Sequence, residues 1–298
     1  MEKTYKFQIL DGFFLKLLAF LFMTLDHVGV FLMMYSSSKD MANSMYLTGY
    51  VFRCIGRVAF PLFILMLTEG IRHSKNVWNY LLRIGIMASV IMVAEIIIFY
   101  AYDSSIQYDY SPLIDLFLCG LTLALLQRKD KFSFLAILPI ALILFTFGIQ
   151  AYERFTSSSV NYFPFYLRAG YSILGLFLSL GFYYSYSIVD KMILKRGLPL
   201  EEAKETSSYR LLIGVMMVSF LIIINVLTYI SGIITYNNRF VFDLFDSDIQ
   251  TWSIFASIFI LLYNGKRGYN KKWFQYGSYL YFPVHIVIIF LIFYLIYK

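Results

Sequence analysis

The chain has 298 residues, of which 60% are hydrophobic and 14% are charged, and its mean hydropathy is +0.69. A soluble domain is about 45–50% apolar and about 25% charged, so this composition excludes a water-soluble globule. The formal net charge is +7, and most of the basic residues lie in short loops between apolar runs. We therefore interpret the charge as a sign of membrane topology rather than of nucleic-acid binding.

The apolar segments predict an all-α, polytopic membrane helix bundle with about nine transmembrane helices. A helix needs about 20 apolar residues to cross a bilayer core, and backbone groups in lipid must pair within their own segment. The first segment is too long for a signal peptide, so we expect it to be retained. The segments cover about residues 10–35, 45–68, 79–102, 112–127, 132–149, 163–189, 209–235, 248–264 and 276–297, of which the fourth and fifth are short.

The distribution of lysine and arginine predicts that the amino terminus is cytoplasmic. In this orientation the cytoplasmic segments carry 17 basic residues and the opposite loops carry 4. Residues 190–208 then form a charged cytoplasmic linker within a single transmembrane domain that spans residues 1–298. We expect the protein to lie in a bacterial cytoplasmic (plasma) membrane, in contact with membrane lipid.

Several ionisable residues interrupt the apolar segments. Each costs roughly 2.5–3.5 kcal/mol in a membrane, so such residues usually face the protein interior. His27 and His285 fall at similar depths near the midplane, and Arg53 and Arg57 are four residues apart on one helix face. Buried ion pairs that fix helix packing are the alternative interpretation. The set comprises Asp26, His27, Arg53, Arg57, Glu95, Asp115, Arg168 and His285.

The group that orients His27 is left open by the sequence. Asp26 and His27 are adjacent in a helix, so their side chains point about 100° apart and cannot form a face-to-face dyad. Glu95 is therefore as plausible a partner as Asp26. The motifs of phosphate-binding loops, dinucleotide-binding folds, serine hydrolases and zinc proteases are absent from the sequence. Cys54 and Cys119 have no metal-binding spacing, so we expect no metal.

Four segments together resemble the TraX family, named for the enzyme that N-acetylates F-type pilin. They are LKLLAFLFMTLDHVGVF (Leu15–Phe31), CIGRVAFPLFILMLTEG (Cys54–Gly70), LLYNGKRG (Leu261–Gly268) and YLYFPVHIVIIF (Tyr279–Phe290). The segments lie towards the two ends of the chain. The middle, roughly residues 100–250, matches the family poorly, and we assign acceptor specificity to it.

The resemblance implies a membrane acyltransferase. TraX proteins look like relatives of the acyltransferase-3 family, in which a basic residue of the first span is followed, after ten residues, by the proposed catalytic histidine. Lys16 and His27 keep this spacing, with lysine in place of arginine. In those relatives acyl-CoA enters from the cytoplasm. The resemblance carries functional roles over to Lys16, His27, Arg57, Glu69 and His285.

We therefore predict an acyl-CoA-dependent O- or N-acyltransferase. It would move an acetyl or other short acyl group from cytoplasmic acyl-CoA to an amine or hydroxyl of a peptide, glycan or lipid at the outer side. A multi-pass transporter or flippase with a buried charged relay is the alternative, and a homo-oligomer is compatible with either. The predicted residues are His27, Asp26, Glu95 and His285 for catalysis, Arg53, Arg57, Glu69 and Asp115 along the substrate tunnel, and Lys16, Arg72, Lys75, Lys266 and Arg267 for binding the donor.

Overall fold

A computed structural model describes residues 5–101, 112–156, 158–160, 162–236 and 249–297, together with most of their side chains. Within these ranges the chain is helical and contains no strands. A single parallel bridge joins Leu10 to Tyr263. The all-α prediction is confirmed.

The described residues form eleven α-helices and three short 3-10 segments. The 3-10 segments are Lys131–Ala136, Phe165–Leu167 and Ile249–Phe255. The α-helices are α1 (Gly12–Met34), α2 (Ser44–Gly56), α3 (Ala59–His73), α4 (Val77–Ala101), α5 (Pro112–Leu126), α6 (Ile137–Thr156), α7 (Ser172–Lys195), α8 (Leu200–Lys204), α9 (Ser207–Tyr236), α10 (Ala256–Leu262) and α11 (Lys272–Tyr297).

Seven helical stretches of the described chain are long and apolar enough to cross a membrane, which supports a multi-pass membrane protein. Two further predicted spans are helical but shorter, at Pro112–Leu126 and Ile249–Leu262, so the count of nine stays a prediction. The seven stretches are Gly12–Met34, Ser44–His73, Val77–Ala94, Lys131–Glu153, Phe165–Lys195, Ser207–Ile230 and Lys272–Tyr297.

The described residues divide into two compact units, and the prediction of a single domain over residues 1–298 stays a prediction. Unit one consists of the described parts of residues 1–63 and 185–298, and unit two consists of residues 64–184. The charged linker predicted at residues 190–208 is largely helical, because α7 continues to Lys195, α8 follows, and α9 begins at Ser207.

In unit one, α1 packs against both α2 and α11. The contact with α2 brings backbone close to backbone: a Cβ atom added to Gly56 would lie 2.3 Å from the Cβ atom of Asp26. Small residues at such contacts are typical of membrane helices, where close approach replaces the hydrophobic driving force. Helix α2 ends at Gly56 and α3 begins at Ala59, so Arg57 lies in a break within the second apolar segment.

The loop between α10 and α11 closes over the beginning of α1. The Gly12 amide donates to the Lys266 carbonyl (2.8 Å), and the Leu10 amide donates to the Leu262 carbonyl (3.0 Å). Gly268 has a φ of +68°, which favours glycine, and its α-carbon packs against the Asp11 carboxylate. That carboxylate also caps α1, because it accepts from two backbone amides of the first turn.

Unit two contains two buried polar contacts that hold the start of α7. The Asp115 carboxylate of α5 accepts from the backbone amides of Gly170 (2.8 Å) and Ser172 (2.8 Å), and from that of Tyr171 between them. A few residues earlier, the guanidinium of Arg168 pairs with Glu153 at 2.9 Å. These charges are satisfied inside the unit, as buried charges must be.

Candidate active site

A pair of histidines joins the first and last long helices of unit one. His27 lies in α1 and His285 in α11, and they are 258 residues apart in the chain. The His27 Nδ1 and His285 Nε2 atoms are 2.7 Å apart, which is hydrogen-bonding distance. His285 is buried and His27 is half-buried. The structure therefore brings the two intramembrane histidines into direct contact.

The backbone of α11 determines which way this hydrogen bond runs. His285 Nδ1 lies 2.8 Å from the carbonyl oxygen of Tyr281. A carbonyl can only accept, so Nδ1 of His285 carries the hydrogen, and in the neutral ring Nε2 must accept. His27 Nδ1 is then the donor of the bond between the rings. It follows that Nε2 of a neutral His27 holds an unshared electron pair.

This arrangement suits His27 to general-base catalysis. Nε2 can take a proton from a substrate, while the hydrogen bond to His285 holds the ring in one tautomer and one orientation. His285 thus occupies the place that a carboxylate occupies in a Ser-His-Asp triad. A neutral imidazole in that place can share the positive charge of a protonated partner without bringing a fixed negative charge into the membrane.

A tyrosine and a threonine fix the position of His285. The Tyr281 ring stacks on the His285 ring, with centroids 5.1 Å apart and planes inclined by 6°. Its hydroxyl lies 2.6 Å from Thr24 Oγ1, and the Thr24 hydroxyl donates to the Phe20 carbonyl (2.9 Å). Tyr281 is therefore the donor to Thr24. The bond ties α11 to α1 one turn from the histidine pair.

Thr24 and Tyr281 are not among the site residues predicted from the sequence. A positional signal was available, because Thr24 precedes His27 by three residues and Tyr281 precedes His285 by four. Residues at these separations share a helix face. Neither residue is a histidine or a charged residue, however, so neither stands out within its apolar segment.

Asp26 is bound by the two arginines of the second apolar segment, Arg53 in α2 and Arg57 just after its end. Arg57 donates to both carboxylate oxygens, at 2.8 and 3.1 Å, and Arg53 Nε lies 3.5 Å from Oδ1. The contact at Gly56 allows this cluster, because a side chain at that position would meet Asp26. Asp26 thus neutralises guanidinium charge, while the group in contact with His27 is His285. Of the two carboxylates that the sequence offered as the partner of His27, Asp26 is bound to the arginines, and the side chain of Glu95 lies outside the described residues.

Five other predicted residues belong to unit two. Glu69 lies near His73, with Oε2 3.7 Å from Nδ1, and Arg72 lies over the Tyr183 ring at 5.5 Å from the ring centroid. Asp115 binds the start of α7 as described above, and Lys75 is exposed in the turn before α4. The backbone of Glu95 is part of α4, but its side chain lies outside the described residues.

The residues predicted to bind the donor in unit one lie near the amino-terminal end of α1. The Lys16 ammonium is 5.4 Å from the centroid of the Phe274 ring, and Lys266 and Arg267 are exposed in the loop that covers Gly12. Lys16 precedes His27 by eleven residues, which corresponds to about 16 Å along a helix. The basic end and the histidine pair are thus two separate parts of the same unit.

No metal cluster is evident in the described part of the chain. Among those residues, no group of three or more His, Cys, Asp or Glu side chains is placed to hold a metal ion. The chemistry derived for the histidine pair requires no metal. The expected absence of a metal stays a prediction.

The comparison with protein families supports the resemblance drawn from the sequence. A family model described as TraX protein matches residues 12–187, which is more than half of the chain. The match includes the first two quoted segments and extends through residues 100–187, part of the region that the sequence analysis described as matching poorly. The last two segments lie outside it. No curated protein and no solved structure matches the chain.

Proposed function

Since this chain belongs to the TraX family, we propose that it is a membrane-embedded acyltransferase that uses acetyl-CoA or another short acyl-CoA. The acceptor would be an amine or hydroxyl of a peptide, glycan or lipid. The observation that carries the proposal is the His27–His285 hydrogen bond, whose direction leaves Nε2 of His27 able to accept a proton. Acyl transfer needs such a base near the midplane, where water cannot serve.

The proposed reaction is a single displacement at the thioester. His27 Nε2 takes the proton of the acceptor N–H or O–H as the acceptor atom attacks the thioester carbonyl carbon. The carbon–sulfur bond then breaks, and the leaving thiolate takes the proton that His27 holds. The products are the acylated acceptor and CoA with a free thiol, and His27 returns to its neutral form.

The attack places negative charge on the thioester oxygen, which needs nearby donors or positive charge. Arg53 and Arg57 are the candidates, since they bind the carboxylate of the residue that directly precedes His27. We assign them the role of holding positive charge beside the reacting carbonyl. Asp26 would position the two guanidinium groups rather than act on the substrate.

The dimensions of unit one suit an acyl-CoA donor. The pantetheine arm has about the backbone length of four extended residues, roughly 14 Å. The axial distance from Lys16 to His27 is about 16 Å. A donor with its phosphates at the basic end of α1 would therefore present its thioester near His27.

The test compares two histidine variants with the wild-type protein, each purified in detergent or lipid nanodiscs. Membrane fractions supply the acceptor, radiolabelled acetyl-CoA supplies the acyl group, and labelled product and free CoA thiol are measured. We expect His27→Gln to lower transfer by about 10²–10⁴-fold and to change acetyl-CoA affinity by less than about threefold. His73→Gln is the matched control, because His73 is exposed at the end of α3 and its replacement should leave transfer unchanged.

Two results would contradict the proposal. Full acyl transfer by a well-folded His27→Gln protein would show that the histidine pair has no catalytic role. Failure of a stable, monodisperse wild-type protein to bind acetyl-CoA in calorimetry would reject the donor. In that case a transporter with a histidine relay becomes the leading interpretation.

A further inference from the structure

Two exposed aromatic side chains beside the start of α11 are held in a fixed arrangement. Tyr269 is 40% exposed and Trp273 is 66% exposed. The indole Nε1 of Trp273 donates to the Tyr269 hydroxyl at 2.8 Å, and the ring centroids are 6.0 Å apart. We name these two rings the aromatic platform. Since the indole N–H is used within the platform, the surface left to a ligand is mainly that of the rings.

The aromatic platform is fixed to the beginning of α1. The Tyr269 ring packs edge-on against Phe13, with centroids 5.4 Å apart, and Phe13 in turn packs against Phe274 at 4.8 Å. The loop that carries Tyr269 is held by the hydrogen bond from the Gly12 amide to the Lys266 carbonyl. A surface fixed before binding loses little side-chain freedom when a ligand stacks on it.

Basic residues surround the aromatic platform. The segment 263–273 carries four lysine or arginine residues and no aspartate or glutamate. The Lys271 ammonium is 5.9 Å from the centroid of the Tyr269 ring, and Lys16 stands over Phe274 on the α1 side. The nearby carboxylate of Asp11 accepts hydrogen bonds from backbone amides at the cap of α1. The platform therefore combines exposed rings with a local excess of positive charge.

We propose that the aromatic platform binds the adenosine 3′,5′-bisphosphate end of the acyl-CoA donor, an inference that rests on the proposed function. The adenine would stack on Trp273 or Tyr269, and Lys266, Arg267 and Lys271 would bind the phosphates. Base stacking on aromatic rings beside basic side chains is a general way to hold a nucleotide. From there the pantetheine arm would pass Lys16 and follow α1 to His27.

A contact with anionic lipid is the competing interpretation. Tryptophan, tyrosine and basic residues also gather at membrane surfaces. An interfacial tryptophan typically directs its N–H to polar groups of the membrane interface, whereas the Trp273 N–H is donated to Tyr269. This internal hydrogen bond favours a ligand that uses the ring face, as a nucleobase does.

The test separates the two ends of the donor. Wild-type protein in detergent is titrated with acetyl-CoA, with adenosine 3′,5′-bisphosphate and with S-acetyl-pantetheine, which lacks the nucleotide. We expect Trp273→Ala to weaken binding of acetyl-CoA and of the bisphosphate about tenfold, in line with the loss of one stacked base. Binding of S-acetyl-pantetheine should be unchanged. Trp273→Phe keeps a ring and should stay within about threefold of wild type.

Trp78→Ala removes another exposed tryptophan, from α4 in unit two, and should alter none of the three affinities. Equal weakening of all three ligands by Trp273→Ala, or unchanged bisphosphate binding, would overturn the platform assignment while leaving the proposed function intact. Loss of binding to anionic-lipid nanodiscs, with nucleotide binding retained, would assign the platform to lipid. A wild-type protein that binds no acetyl-CoA would overturn both proposals.

Discussion

At the scale of single residues, the direction of one hydrogen bond decides the chemistry of the candidate site. The Tyr281 carbonyl fixes a hydrogen on His285 Nδ1, so His285 Nε2 accepts from His27 Nδ1. The tautomer of His285 thereby determines the tautomer of His27. Protonation of His285 would remove the acceptor of the bond between the rings, and protonation of His27 from solution would occupy Nε2, the basic atom. Both histidines must therefore be neutral for His27 to act as a base, and transfer should fall as the pH is lowered.

The hydroxyl contact between Tyr281 and Thr24 should be measurable in catalysis. Tyr281→Phe keeps the ring on His285 and the backbone carbonyl but removes the 2.6 Å contact with Thr24. We expect it to lower kcat about tenfold with little change in KM for the donor, because the base is misplaced while the donor still binds. Its unfolding free energy should fall by about 0.5–1.5 kcal/mol, the usual net contribution of one hydrogen bond.

Thr24→Val provides the matched partner for a double-mutant cycle. Both substitutions remove the same bond, so the double variant should be little worse than either single variant. Additive losses in kcat would show that the two side chains act independently. That result would contradict a shared positioning role.

Part of the site could be predicted from the sequence. An ionisable side chain in an apolar segment, such as His27, His285 or Arg57, indicates a site residue whatever the fold. The rise per residue gives its depth in the membrane. The partner on another helix could not be predicted, because depth does not fix the rotation of a helix about its axis. For this reason Asp26 and Glu95 were the expected partners of His27, and His285 is the partner that the structure shows.

At the scale of elements, the approach of α1 to α2 builds the arginine–aspartate cluster. Without a side chain at Gly56 the two backbones come close enough for Asp26 to lie between Arg53 and Arg57. The break between α2 and α3 adds to this arrangement, since Arg57 follows the last residue of α2. A continuous span predicted at residues 45–68 did not anticipate that break, because hydropathy is insensitive to a turn of two residues.

Gly56→Ala should separate α1 from α2. The added methyl group would lie 2.3 Å from the Asp26 Cβ atom, so the helices must move apart at a cost of about 1–3 kcal/mol. A thermal-unfolding measurement in detergent should show a lowered Tm. Gly277→Ala is the matched control within α11, because nothing lies within 4 Å of its added Cβ atom. A Tm equal to that of wild type for Gly56→Ala would show that the contact does not hold the helices.

Asp115 has a structural role in unit two that its charge alone did not reveal. Its carboxylate accepts hydrogen bonds from backbone amides at the beginning of α7. Asp115→Asn keeps one acceptor oxygen and loses the other, so we expect the unfolding free energy to fall by about 1–3 kcal/mol. Acetyl-CoA affinity, measured on the folded fraction, should stay within about threefold. A large loss of affinity at unchanged stability would instead support the tunnel role that the sequence suggested.

At the scale of the whole molecule, the charge distribution predicts the orientation in the membrane. Unit one supports part of it, since Tyr5 contacts Ser208 and the loop at Gly265 contacts Arg210. Three segments predicted to be cytoplasmic thus meet at one end of this unit. Which side of the membrane that end faces stays a prediction from the positive-inside rule.

Thiol labelling can test the orientation. Lys39→Cys and Lys129→Cys are introduced singly after Cys54 and Cys119, both buried, have been replaced by alanine. An impermeant maleimide should label Lys39→Cys in intact cells and Lys129→Cys only after permeabilisation. Both should react equally in permeabilised cells, which controls for accessibility. The opposite pattern would invert the orientation and place the aromatic platform away from cytoplasmic acyl-CoA.

Unit one is assembled from the two ends of the chain, with unit two inserted between them. A ribosome completes every residue of unit two before it reaches α9, and it adds His285 later still, as part of α11. His27 is therefore made early and His285 late, so the hydrogen bond between them can form only after α11 has been added. A chain cut short anywhere before α11 would therefore lack the histidine pair and, under the proposed function, could not transfer an acyl group.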